Sequence, residues 1–189
     1  MVLGGGSVAV VKIVIASCLA PSAETGADPL GDQLAYQLLA TGHEVEHLRL
    51  PFSDRDWRTI PAQMVAVRNF DIDSAERLIA LDFPTYLLRH AHKVVWLAEH
   101  FLAGYDSSAA AELQAQTTHL VSKYRDLRSA ADSEGLGEAR SLFASSTAVG
   151  DRLRENLGIS STLLLRPTMN PEPPAPAGSW HDAIVRLLA

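Results

Sequence analysis

The chain alternates short runs of β-branched and apolar residues with segments whose apolar residues recur at helical spacing, and this alternation restricts its fold most. The first run, Lys12–Ser17, reads KIVIAS and predicts a central parallel strand. The segment LGDQLAYQLLATG predicts an amphipathic helix that ends at Gly42 through a left-handed cap. The segment HEVEHLRLP predicts a second strand that ends at Pro51. Together these elements form a βαβ unit, the building block of parallel sheets.

The rest of the chain continues the same alternation. In chain order we predict a helix within 54–70, a strand at Leu78–Leu81, a short helix at Thr85–His90, a strand at Val94–Leu97, one or two long helices within 107–135, a strand in SLFASS, a helix in TAVGDRLRENLG capped by Ser146 or Thr147 and ended by Gly158, a strand at Ser161–Leu165 and a helix at Trp180–Leu188 capped by Ser179. The run Val94–Leu97 is continuously apolar, which is typical of a strand buried on both faces.

Apolar residues recur at helical intervals along three of the predicted helices. They are Ile60, Met64, Val67 and Phe70 in the first, Leu113, Leu120, Val121, Tyr124 and Leu127 in the second, and Trp180, Ile184, Leu187 and Leu188 in the third. The last helix is too short to be stable alone in water, so it should dock on the domain. We therefore predict an α/β fold, a single Rossmann-like three-layer domain with a mainly parallel sheet plus a docked C-terminal helix.

The same patterns predict how the chain is organised. We expect a flexible leader at 1–11, the α/β domain at 12–166, a proline-rich linker at 167–179 and the packed C-terminal helix at 180–189. The linker sequence RPTMNPEPPAPAGS contains five prolines, which favour an extended connection over regular structure.

Composition excludes several classes of function. The formal net charge of -6 argues against nucleic-acid binding, which requires a basic face. No apolar run approaches the roughly 20 residues of a membrane span, so we expect a cytoplasmic protein without a transmembrane segment. The single cysteine, Cys18, excludes an internal disulfide, and we expect it to be buried at the end of the first strand. His90 and His92 lack a third ligand at clear spacing, so we predict neither a metal site nor a cofactor.

Three stretches of the chain resemble, in order, the N-terminal domain of retaining GT-B-fold glycosyltransferases of family 4. They are KIVIASCLAPSAETGADPLGDQLAYQLLATGHEVEHL, ERLIALDFPTYLLRHAHKVVWLAEHFLAGYDS and LGEARSLFASSTAVGDRLRENLGISSTLLLRP. The resemblance extends from about Lys12 to Pro167. It implies a domain that holds the acceptor, whereas a second domain of such enzymes holds the nucleotide-sugar donor.

After Pro167 the chain departs from the family, because it continues directly to GSWHDAIVRLLA, which resembles the terminal helix of these enzymes. The donor-binding domain is lacking, so we expect binding of a saccharide, lipid or natural-product acceptor without sugar transfer by this chain alone. One alternative is a split enzyme, completed by a separate donor-domain protein. Another is a non-catalytic binding or regulatory subunit. The exposed cleft face would favour such a partner or self-association.

The resemblance also suggests residues of the site. Gly26 and Ala27 occupy small-residue positions in the loop after the first strand, where the family's backbone approaches phosphate or acceptor. An ordinary strand-to-helix turn is the alternative interpretation of this loop. Tyr105 and Asp106 match family positions that we assign to acceptor binding, although Asp106 could instead cap a helix.

The family carries a histidine after the buried strand that corresponds to Val94–Leu97. Counted without a gap from Trp96, that position falls on Glu99, and His100 follows one residue later. A histidine there could orient a substrate hydroxyl or transfer a proton. We therefore consider His100 and Glu99 as catalytic candidates, with a structural role of His100 as the alternative.

Overall fold

A computed structural model describes residues 10–19, 29–53, 58–72, 74–98, 118–167 and 179–189. The elements are β1 (Lys12–Leu19), α1 (Pro29–Ala40), β2 (Glu44–Pro51), α2 (Ile60–Arg68), β3 (Arg77–Ala80), a 3₁₀ helix (Thr85–Leu87), β4 (Lys93–Leu97), α3 (Thr118–Gly137), β5 (Ser141–Ala144), α4 (Thr147–Leu157), β6 (Thr162–Leu163) and α5 (Trp180–Leu188). This order confirms the predicted alternation of strands and helices.

The six strands form one sheet in the order β2-β1-β3-β4-β5-β6, and every neighbouring pair is parallel. From β1 the chain first adds β2 on one side and then returns to add β3 on the other. This reversal is the topological switch point of the sheet. In open α/β sheets, ligands bind at the carboxyl ends of the strands beside such a point.

Helices cover both faces of the sheet, which confirms the predicted three-layer α/β fold. One face packs against α1 and α5, and its core contains Ile13, Ile15, Leu34, Leu38, Ile79, Trp96, Ile184 and Leu187. The other face packs against α2, α3, α4 and the 3₁₀ helix, and its core contains Val14, Met64, Leu78, Tyr86, Val95, Leu136, Val149 and Leu153. All five residues of β4 are buried, as its continuous apolar run predicts.

The C-terminal helix α5 is docked on the sheet as predicted. The Ser179 side chain accepts a hydrogen bond from the Asp182 main-chain N–H and caps the helix. Ile184 and Leu187 enter the core beside β4, while Trp180 makes an edge contact with Trp96. Burial of these apolar side chains supplies the stability that so short a helix lacks in isolation.

Trp96 connects the centre of the sheet to its far edge. Its indole Nε1–H donates to the Leu164 carbonyl at 2.9 Å, and the side chain is completely buried. An indole N–H buried without an acceptor would be costly, so this bond fixes the chain that follows β6 against β4.

The helix ends also match their sequence signals. Gly42 and Gly158 both have positive φ, which a glycine adopts without the strain that a Cβ would cause. The Ser146 side chain accepts from the Val149 main-chain N–H at the start of α4, so Ser146 is the cap.

A network of charged side chains around the buried Lys93 lies at the amino edge of the sheet. Lys93, at the start of β4, has no exposed surface, and its Nζ donates to the carbonyls of Tyr86 and Leu88 and to Glu138 Oε2 at 3.0 Å. Arg68, from α2, also binds Glu138. Hydrogen bonds from Arg68 and Lys93 lower the pKa of Glu138 to about 2, while burial lowers the pKa of Lys93.

Some expectations were wrong in detail. Phe70, predicted on the apolar stripe of α2, lies beyond the end of that helix and is 45% exposed. Leu127 lies in α3, as its helical spacing predicts, and is 41% exposed. The buried face of α3 instead carries Arg128 and Asp132, which pair with each other. Cys18, near the end of β1, is only half-buried.

Other predictions differ in length or are not tested. The last strand comprises only Thr162–Leu163, and the 3₁₀ helix ends at Leu87. Residues 1–9, 107–117 and 168–178 lie outside the described residues, together with the side chains of Leu120, Val121 and Tyr124. The domain boundaries therefore remain predictions. Within the part of the chain that is described, no helix is both long and apolar enough to cross a bilayer.

Candidate functional site

The carboxyl edge of the sheet is the candidate site, because the switch point lies there between β1 and β3. The segments predicted from the resemblance follow β1 and β4 at this edge. All six predicted site residues, Gly26, Ala27, Glu99, His100, Tyr105 and Asp106, lie outside the described residues. Their roles therefore stay predictions, and the geometry of the edge is described from residues 10–19, 29–53 and 74–98.

Four polar residues near the ends of β1 and β2 form what we call the carboxyl-edge cluster: Ser17, Asp32, His47 and Arg49. Ser17 Oγ lies 2.8 Å from His47 Nε2, and His47 Nδ1 lies 3.2 Å from Asp32 Oδ1. The Arg49 guanidinium donates to the same carboxylate oxygen. Asp32 lies in the first turn of α1, so the cluster ties this helix to two strands.

The register of the two strands explains why these side chains meet. Ser17 pairs with Arg49, and Ile15 pairs with His47, in the parallel ladder between β1 and β2. Side chains two residues apart share a face, so Ser17 extends the face formed by Ile13 and Ile15. The cluster therefore continues an apolar face with hydrogen-bonding groups, which are tolerated there because they pair with each other.

The charges define the roles of the two histidine nitrogens. The Asp32 carboxylate can only accept hydrogen bonds, so His47 Nδ1 carries the proton in that contact. In a neutral imidazole, His47 Nε2 then accepts the hydroxyl proton of Ser17. Exposure to solvent falls from Asp32 through His47 to Ser17. The Asp32 side chain is 52% exposed, that of His47 is 11% exposed, and Ser17 is fully buried.

Asp82 lies at the switch point itself, two residues after β3. Its Oδ2 accepts a hydrogen bond of 2.9 Å from the Cys18 main-chain N–H near the end of β1. Its Oδ1 lies 3.1 Å from Thr85 Oγ1 at the start of the 3₁₀ helix. The carboxylate thus joins the ends of the two strands that border the reversal.

An aromatic group lies on the other side of the sheet at the same edge. The rings of Phe52 and Phe83 meet edge to face, with centroids 5.0 Å apart. The Arg128 guanidinium covers the Phe83 ring at 3.3 Å from its centroid, a cation–π contact. Beneath it, Arg128 Nε and the Tyr86 hydroxyl donate to Asp132 at 2.8 Å and 2.6 Å. Burial raises the pKa of Tyr86 well above its ordinary value.

The HxH motif has a structural role in this fold. His90 Nε2 lies 3.1 Å from the Ala75 carbonyl, and the other His90 nitrogen accepts from the His92 main-chain N–H. Arg140 contacts His92 Nδ1 at 2.8 Å. Among the described residues, no three or more histidine, cysteine or acidic side chains come together as a metal site would require.

Sequence reasoning missed the carboxyl-edge cluster and Asp82. A signal for part of it exists in β2, where Val45, His47 and Arg49 alternate with Leu48 and Leu50. Because the two leucines pack on the opposite face of the sheet, Val45, His47 and Arg49 share the other face. A histidine and an arginine on that face need partners close to the first helix. The identity of those partners depends on the β1–β2 register and on the residue at which α1 begins. Neither can be predicted from the sequence pattern of β2 alone.

The function of the carboxyl edge has to be argued from this geometry. A scan against protein-family models found no match for the chain, and a search of curated proteins found no similar sequence.

Proposed function

We propose that this chain is a glycosyltransferase-like acceptor-binding domain whose acceptor lies at the carboxyl edge of the sheet. The observation that carries the proposal is the concentration of hydrogen-bonding side chains beside the switch point: the carboxyl-edge cluster on one side and Asp82 between β1 and β3. In this sheet class the crevice at the switch point is the usual place for a ligand. The resemblance to GT-B acceptor domains supports the same location.

The exposed members of the cluster suit hydroxyl groups. The side chains of Asp32 and Arg49 are 52% and 43% exposed, so both reach solvent while they bind each other. A carboxylate accepts hydrogen bonds from hydroxyls, and a guanidinium donates to their oxygens. Adjacent hydroxyls of a saccharide could therefore bind both partners together. Lipid or natural-product acceptors with a sugar-like polyol portion would satisfy the same groups.

The reaction implied by the resemblance is transfer of a sugar from a nucleotide donor to an acceptor hydroxyl. Such transfer requires groups that stabilise the leaving diphosphate and hold the reacting atoms in line. In our proposal this chain supplies acceptor binding, and the donor-binding groups face this edge from elsewhere. A separate donor-domain protein would provide them in a split enzyme, whereas a regulatory subunit would bind its partner without turnover.

Binding can be tested directly by calorimetry and by ligand-observed NMR with a panel of oligosaccharides, glycolipids in micelles and glycosylated natural products. We expect the wild-type protein to bind a member of the panel. Asp32→Asn should weaken that binding about tenfold or more, since a hydrogen bond to a charged group contributes about 1.5–3 kcal/mol. Asp151→Asn is the matched control, because Asp151 forms a similarly exposed ion pair with Arg154 on α4.

The outcomes separate the alternatives. Equal weakening by both variants, or an absence of binding across the panel, would contradict the proposal. If binding is found, addition of nucleotide sugars with a candidate donor-domain protein distinguishes the remaining roles. Turnover that needs both proteins supports the split enzyme, whereas a complex without turnover supports the regulatory subunit.

A further inference from the structure

The carboxyl-edge cluster contains a serine, a histidine and an aspartate in the order that nucleophilic catalysis requires. The distances are 2.8 Å from Ser17 Oγ to His47 Nε2 and 3.2 Å from His47 Nδ1 to Asp32 Oδ1. A nucleophile in contact with a base that a third group orients is the diagnostic arrangement of an activated hydroxyl. We propose that Ser17 is a nucleophile that accepts a small acyl group from a carboxylic ester, with His47 as its general base.

Each residue has a defined part in this reaction. Asp32 holds the proton on His47 Nδ1, so that the Nε2 lone pair points at the Ser17 hydroxyl. Arg49 donates to Asp32 and keeps this carboxylate in place from β2. Ser17, His47 and the positioning residue Asp32 come from β1, β2 and α1, so strand pairing and helix packing preorganise them.

The acyl-transfer step balances without any further reactant. Ser17 Oγ forms a bond to the ester carbonyl carbon while its proton passes to His47 Nε2. Collapse of the tetrahedral intermediate breaks the bond to the alcohol oxygen, and the departing alcohol takes the proton from His47. Water then attacks the acyl-serine, gives a proton to His47 and releases the carboxylic acid as Ser17 recovers that proton.

Two features of the site indicate which substrate and which measurement suit it. Ser17 is fully buried, so acetyl, a small acyl group, is the one chosen for the test. The Cys18 main-chain N–H, the donor next to the nucleophile, is already bound by Asp82 Oδ2. Loss of one oxyanion donor typically lowers the rate by about 10²–10³. Formation of the acyl-serine is therefore a better measurement than steady-state turnover.

The experiment uses p-nitrophenyl acetate as the probe and the whole chain as the protein. We expect release of one equivalent of p-nitrophenol and an acetyl group on Ser17, located by fragment sequencing that separates Ser17 from the neighbouring Cys18. Ser17→Ala should remove the label. His47→Gln should slow labelling by about 10²–10⁴, because glutamine cannot act as the base.

Asp32→Asn tests the orienting group, with Asp151→Asn as the control of equal charge change on a distant exposed ion pair. The first should slow labelling at least about tenfold and the second should leave its rate unchanged. A merely structural hydrogen-bond chain predicts a different result, namely no label on Ser17 in folded wild-type protein. That result, or a label whose rate does not change in folded His47→Gln, overturns the proposal.

Fold integrity does not limit this test. If Ser17→Ala fails to fold, the wild-type label is still assigned by fragment sequencing, and circular dichroism shows whether His47→Gln is folded. The reaction needs no saccharide, so its outcome is independent of acceptor binding. A labelled Ser17 without saccharide binding, or the reverse, tells which of the two proposals has failed.

Discussion

Glu138 should contribute measurably to stability, because it is the shared acceptor of two cations at the amino edge of the sheet. It accepts from Arg68 and, at 3.0 Å, from the completely buried Nζ of Lys93. Glu138→Gln keeps the size of the side chain and removes its charge. Lys93 would retain its two main-chain acceptors but lose the negative charge that offsets its burial.

The pKa of Glu138 sets the magnitude of this effect and its dependence on pH. Its value falls from 4.5 to about 2 on folding, and each unit corresponds to about 1.36 kcal/mol, which gives about 3 kcal/mol in full. The side chain is 38% exposed, so solvent screening reduces the expected contribution to about 1–2 kcal/mol. Because the folded-state pKa is lowered, this stability is present above about pH 4.5 and is lost as the pH falls through about 2.

Urea unfolding followed by circular dichroism measures the difference between the wild-type protein and Glu138→Gln. We expect about 1–2 kcal/mol at about pH 7, a constant difference down to about pH 5 and a smaller one at about pH 3. Glu134→Gln is the matched control one turn earlier on α3. Glu134 contacts Arg68 and is 62% exposed, so its loss should cost less than about 0.5 kcal/mol.

Two results would refute this reasoning. The first is a loss in Glu138→Gln no larger than that in Glu134→Gln, which would mean that the contact with Lys93 contributes nothing. The second is a difference that remains unchanged at about pH 3. In that case the loss would come from packing, because the packing of the side chain does not titrate.

Three further substitutions test the packing and the helix ends by the same unfolding assay. Gly135→Ala should destabilise the protein by about 1–3 kcal/mol, because the new Cβ would lie 2.9 Å from a leucine side chain and 3.1 Å from a main-chain carbonyl, while Gly137→Ala meets nothing within 4 Å. Ile184→Ala should cost about 2–4 kcal/mol through a cavity under α5, against less than about 0.5 kcal/mol for the exposed Val185→Ala. Ser146→Ala should cost about 1 kcal/mol, since it removes the cap of α4.

The sequence predicted the elements whose signals are local. The β4 run, the glycine ends at Gly42 and Gly158 and the cap at Ser179 each depend on a few adjacent residues. The apolar periodicity of α5 likewise predicted its docking face, including Ile184. Such signals suffice for the fold class, because alternating buried strands and amphipathic helices have few ways to cover each other.

Buried polar groups were the main source of error. The burial of Lys93 was not predicted, because a lysine is rarely buried and its partner Glu138 is 45 residues away in sequence. On α3 the apolar residue Leu127 is exposed, whereas Arg128 and Asp132 are buried as a pair that the sequence pattern did not predict. In both cases the cost of burial is offset by a partner that only the folded chain brings into contact.

The carboxyl-edge cluster was missed for the same reason. Ser17 occupies a strand position that an aliphatic residue would fill equally well. Only its hydrogen bond to His47 on the neighbouring strand marks it as a candidate. The candidates taken from the resemblance, by contrast, fall on segments outside the described residues. The sequence indicated the carboxyl edge of the sheet through strand order and loop position, and this location stays a prediction. The geometry added Asp82 and the cluster as candidates at the same edge.

The two edges of the sheet use charge differently, and this difference separates stability from binding. At the amino edge, Lys93 is fully buried and bound by three acceptors, so it contributes to the fold and offers nothing to a ligand. At the carboxyl edge, Asp32 and Arg49 pair while about half of each side chain remains exposed. Exposed pairs add little to stability but can exchange their water for ligand hydroxyls. Glu138→Gln should therefore lower stability without affecting acceptor binding, and Asp32→Asn should do the reverse.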